Sequence, residues 1–155
     1  LAIHASFEAM RQESLSEMIN VARDCVYYKK DPKVWGNSGC YGYPAAILLF
    51  SIADTIGEYI LSGSVRKHFD IFNHQKYYNL QLTKDSIDVL YKYYRSRLTH
   101  NAILGRKCFM HPGSPGDPVL EIEGDIFLLR LIPFYIVTKR ATEKFLNDIR
   151  TSEKE

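Results

Sequence analysis

The chain has 155 residues, 46% of them hydrophobic and 25% charged, with a formal net charge of +2 at neutral pH. That is enough for one domain with a proper core, and it excludes a wholly disordered chain. So small a net charge does not by itself imply nucleic-acid binding, so any charge-driven recognition has to be local.

In chain order, Leu15, Met18, Ile19, Ala22 and Val26 recur at helical spacing and predict a first helix from about Phe7 to Lys29. "DPKVWGNSGCYGYP" follows and reads as a loop. Pro44 suits the first turn of a second helix, "PAAILLFSIADTIGEYIL", because its missing N–H would have no intrahelical partner there. Ser51, Asp54, Thr55 and Glu58 form a narrow polar stripe on this otherwise apolar cylinder, which predicts the central helix of the domain. A short helix is expected over Val65–Asn73. Thr83 is placed to cap a longer one with Ile87, Leu90, Tyr91, Tyr94 and Leu98 facing inward.

"GRKCFMHPGSPGDP" reads as loop, and "VLEIEGDIFLL" as a β-hairpin around a Gly-Asp turn. Pro133 opens a last helix with Phe134, Val137, Ala141, Phe145 and Ile149 on one face. "TSEKE", residues 151–155, reads as a solvated tail. The expected fold is therefore all-α: a single domain over residues 1–150, a helical bundle with one small β-hairpin before the last helix.

Three cysteines (Cys25, Cys40, Cys108) suit reduced thiols better than a disulfide framework, which points to the cytoplasm. No uninterrupted apolar run reaches the roughly 18 residues of a membrane span. No membrane association is expected. Cys108 and His111 have a C-x2-H spacing, but a structural zinc site needs a second close pair, so no metal and no cofactor is expected. His4, His68 and His74 sit among polar neighbours and suggest no special role.

Between Asp88 and Asp117 there is no carboxylate, while Lys92, Arg95, Arg97, Arg106 and Lys107 supply positive charge. Such a segment attracts phosphate, and Tyr93 and Tyr94 could add stacking on single-stranded bases. The bland alternative is a basic helix end favoured by the helix dipole. Asp54 and Glu58 are either a solvent-facing stripe or acids that support a neighbouring arginine, since a buried carboxylate needs a partner.

"LYKYYRSRLTHN" resembles the R-x4-6-H signature of HEPN domains, with Arg95 and His100 as the motif pair. "YPAAILLFSIADTIGEYI" resembles the acid-bearing helix that packs against the motif helix in bacterial members of that superfamily. Together the resemblance covers roughly residues 43–104. It implies a HEPN-like bundle and a homodimer. It also implies metal-independent endoribonuclease activity, often as the toxic partner of a toxin–antitoxin pair, with an antitoxin protein as possible partner. Arg95 and His100 would then be catalytic, with Ser96, Arg97, Asn101, Tyr93, Arg106 and Lys107 binding or positioning RNA. Ser96 stands where active members usually carry Asn, Asp or His. The same resemblance implies, as alternative, a non-catalytic RNA- or nucleotide-binding or dimerisation module. Five residues along an ideal helix rotate by about 140°, so Arg95 and His100 share no face. Either the helix ends before His100, or two chains assemble the pair; Arg97, three residues from His100, is the other candidate arginine.

Overall fold

The computed structural model describes residues 6–152. Helix α1 (Phe7–Tyr27) starts where the Ser6 hydroxyl accepts the Ala9 N–H at 3.1 Å, satisfying a donor the helix itself cannot. A short α2 (Pro32–Trp35), capped by Asp31, interrupts the segment expected to be loop. Helix α3 (Gly42–Leu61) is central: α1, the C-terminal helix and the helical segment of residues 65–73 that follows it all pack on its surface. By length and composition α3 is also the one helix among the described residues that could cross a membrane. Its apolar side chains, Leu49, Phe50, Ile52 and Ile56 among them, are buried in the core.

After α3 come α4 (Val65–His68) and a 3-10 turn over Phe69–Asn73. The next helical run begins at Thr83, whose hydroxyl accepts the Ser86 N–H. It continues without a break through α5 (Lys84–Val89), a π-helical turn (Leu90–Arg95) and α6 (Ser96–Asn101), and is called the motif helix below. Ile87, Leu90, Tyr94 and Leu98 are buried, and Tyr91 is half-buried. Ala102 ends the run in the left-handed region at φ 54°.

The chain is not all-α. Strands β1 (Cys108–His111), β2 (Leu120–Glu123) and β3 (Ile126–Arg130) form a mixed sheet in the order β1-β3-β2. The expected hairpin is β2–β3, antiparallel around Gly124 and Asp125, with Gly124 at the positive φ that such a turn requires. The correction is β1, which lies in the glycine- and proline-rich stretch expected to be loop. It pairs in parallel with β3, Cys108 opposite Phe127. β3 runs directly into α7 (Leu131–Ser152), which starts two residues before Pro133 and takes in Thr151 and Ser152 of the expected tail. His4 and residues 153–155 lie outside the described residues.

The core is aromatic. Phe50 meets Phe134 with ring centres 5.0 Å apart and Phe69 at 5.8 Å, joining α3, α7 and the 3-10 turn. Tyr94 fastens the motif helix to the sheet. Its hydroxyl lies 2.8 Å from the Phe109 carbonyl and 3.0 Å from that of Phe127, so one side chain bridges β1 and β3. Burial pushes its phenol well above the ordinary range, keeping the proton that this bridge uses.

Candidate functional site

Arg95 is the last residue of the π-helical turn, and its guanidinium turns toward α3. Nη2 lies 3.5 Å from Oδ2 of Asp54. The other oxygen, Oδ1, is 2.7 Å from Nδ1 of His68, whose Nε2 is 3.1 Å from the Gly63 carbonyl. Asp54 thus joins three elements through one carboxylate. The side chains of Arg95 and Asp54 keep 21% and 23% of their surface exposed, whereas that of His68 keeps 8%. Both neighbours of the His68 ring are acceptors, so at least one of the two bonds uses a ring N–H. The Tyr91 ring lies under Arg95 at 6.0 Å and flanks the guanidinium on its own helix.

Sequence reasoning missed His68. Its burial depends on Gly57, one turn beyond Asp54 on α3. A Cβ added at Gly57 would lie 2.1 Å from the His68 carbonyl oxygen. Only glycine lets α4 approach α3 that closely. A buried glycine within an apolar helix was the available signal.

The motif helix does not end before His100; it runs through Asn101. In one chain Arg95 and His100 therefore stay about 140° apart around the helix axis. His100, Arg97 and Asn101 are exposed, while Ser96 is half-buried beside Arg95. Among the described residues no carboxylate forms an ion pair with Arg97, His100 or Arg106. Glu58 lies on α3 one turn past Asp54 and is exposed; it does not join the Asp54 network.

Two residues expected at a phosphate surface are otherwise engaged. Lys107 pairs with Asp125 in the hairpin turn, so the basic segment does meet an acid once the sheet forms. Tyr93 stacks on Phe127, with ring centres 6.2 Å apart and planes 17° from parallel, and it also packs against Gly105. One face of that ring is therefore taken. Cys40 and Cys108 are buried, and burial raises both thiols. Among the described residues no three His, Cys, Asp or Glu side chains gather as a metal site would need.

The arrangement can hold one arginine rigidly at the flank of the motif helix and offer a second arginine and a histidine to solvent beyond it. No family model, no curated protein and no solved structure matches the chain.

Proposed function

We propose that the chain is an RNA-cleaving domain of the HEPN type, acting as a homodimer without a metal ion. One observation carries the reading: Asp54 and His68 brace Arg95, while Arg97 and His100 emerge on the exposed side of the same helix. Bracing by a carboxylate fixes a guanidinium where it can donate its remaining N–H groups to a phosphate. The angular separation is bridged when two motif helices meet about a two-fold axis, each His100 approaching the other copy's Arg95.

In the cleft so formed, the ribose 2′-hydroxyl attacks the adjacent phosphorus and gives its proton to an imidazole. The P–O5′ bond breaks, the leaving oxygen takes a proton, and the products are a 2′,3′-cyclic phosphate and a 5′-hydroxyl. One His100 accepts the first proton and the second copy's His100 supplies the other. Arg95 stabilises the added charge on the phosphate, Ser96 and Asn101 position it, and Arg97 and Arg106 hold flanking phosphates. On this reading the protein works in the cytoplasm, and a cognate antitoxin would cover the basic end of the motif helix.

A second reading, a non-catalytic RNA- or nucleotide-binding module, is favoured by the same Arg95–Asp54 contact if it serves packing alone, and by Ser96 at its position. Purified protein incubated with mixed RNA in EDTA separates the two. Cleavage yields cyclic-phosphate ends and disappears in His100→Ala, with RNA affinity kept. Arg95→Ala lowers both rate and affinity. Salt-sensitive binding without cleavage supports the module, and cleavage by His100→Ala at the parental rate refutes the ribonuclease.

A further inference from the structure

Beyond the C-terminal end of the motif helix, between β1 and the 36–41 loop with the start of α3, lies a groove of about 590 Å³ that includes Lys30, Asn37, Tyr43, Leu104, Phe109 and His111 in its walls. Leu104 follows the motif helix by three residues, so the groove adjoins the end that carries His100 and Arg106. A second depression of about 430 Å³ continues it past Gly39 and shares Lys30 and Ser38. Neither has a carboxylate among the described residues that line it.

Large rings are exposed around both. Tyr43 is 51% exposed, Phe109 53%, Trp35 48% and Tyr28 43%. Tyr28 and Trp35 are also held in place. Tyr28 stacks on Tyr41 with ring centres 4.2 Å apart, and Trp35 meets the same Tyr41 edge-on at 5.5 Å. Lys30 lies 5.6 Å from the Trp35 ring centre and reaches Asn37. Lys29 and Lys33 flank it, and the one acid of this stretch, Asp31, caps α2 through the Lys33 N–H. Exposed aromatic faces beside cations, in a groove without acids, suit a chain of flat bases linked by anionic phosphates. A protein ligand would use the rings equally well but gives no reason for excluding carboxylates. A base pair in a duplex has no free face to offer them.

Resting on the RNA reading above, we propose that this groove seats the bases of single-stranded RNA next to the phosphate handled by the motif helix. Tyr43 and Phe109 supply stacking faces, and Lys30 supplies a phosphate contact.

Trp35 is the chain's single tryptophan and adjoins the groove through Lys30, so its emission reports on strand bound there. The probe is an oligouridylate of about 12 nucleotides, a length within single-strand site sizes. Its 2′-O-methyl sugars prevent cleavage. Expected are quenching of Trp35 emission by this strand and none by a blunt RNA duplex. Tyr43→Ala and Phe109→Ala each weaken binding, read by anisotropy, about 5- to 150-fold. Lys30→Gln lowers the log–log salt slope by about 0.7, the loss of one phosphate contact. Neither ring belongs to the buried core, and a melting temperature measured for each variant checks that the fold is kept.

Groove-dependent binding without any RNA cleavage upholds this site while refuting the ribonuclease. Unmodified RNA cut with KM unchanged in Tyr43→Ala and Phe109→Ala refutes this site while leaving the ribonuclease. Equal quenching by the duplex, or no binding of the strand, also overturns the proposal.

Discussion

Replacing Gly57 tests whether the close approach of α4 to α3 positions the Asp54 network. In Gly57→Ala the added Cβ would lie 2.1 Å from the His68 carbonyl oxygen, 2.7 Å from its carbonyl carbon and 2.8 Å from its Cα. All three are backbone atoms, so no side-chain rotation relieves the contact and α4 must retreat by roughly 1 Å, judged against ordinary packing distances. Helix propensity favours alanine by about 1 kcal/mol. Overpacking costs about 1–3 kcal/mol. Weakening the His68–Asp54 bond, which involves a carboxylate, adds about 1.5–3 kcal/mol. The net expectation is a loss of about 1.5–5 kcal/mol, a fall in melting temperature of roughly 3–20 °C for a chain of this size. Gly116→Ala is the control, because a Cβ there meets nothing within 4 Å; it should lie within about 0.5 kcal/mol of the parent. Chemical denaturation of the three proteins decides the matter. If Gly57→Ala matched the parent in stability, the packing argument for His68 would be wrong.

Asp54→Ala strips Arg95 and His68 of their shared partner and should cost about 2–3 kcal/mol; a double-mutant cycle with His68→Ala should show coupling of about 0.5–3 kcal/mol, and strict additivity would refute the network. Burial alone would raise the Asp148 carboxyl, but hydrogen bonds from Lys76 and Tyr77 and the nearby Lys144 hold it below the usual carboxylate range. Its contribution to stability is therefore present above the unfolded value of 3.8 and is lost as the pH falls through the folded value. Asp148→Asn should flatten the acid limb of a stability–pH curve and leave the curve's shape near neutrality unchanged. Cys40 and Cys108, buried and with raised thiols, should resist a thiol reagent at pH 8 until denaturant is added, while the half-buried Cys25 reacts first; fast labelling of Cys108 in the native protein would contradict the sheet packing.

The long helices were legible because their periods are long and their ends are marked. Ser6 and Thr83 cap as their side chains allow, and the polar stripe on α3 separates its one partly buried acid from its apolar faces. β1 was not legible. Its four residues have no period of their own between Gly105 and Pro112, and their conformation is fixed by pairing with a strand met 18 residues later, Cys108 with Phe127. Missing that strand is what made the chain look all-α. The Asp54 network was half legible. An acid on an apolar helix calls for a cation, and Arg95 is in reach, but His68 enters only through the backbone approach that Gly57 permits. Lys107 and Tyr93 looked available because Asp125 and Phe127, which engage them, stand in another element.

The parallel pairing of β1 with β3 also orders events in time. Both carbonyls that receive the Tyr94 hydroxyl, from Phe109 and Phe127, belong to residues made after the motif helix. On the ribosome, α1 and α3 can meet early, but the motif helix has no sheet to lean on until β3 has emerged, and α7 follows directly from that strand. The basic end of the helix therefore gains this anchor only once β3 has been made. A nascent chain stalled before Ile126 would carry Arg97 and His100 without the anchor that aims them, so this basic surface stays unassembled until β3 has been made.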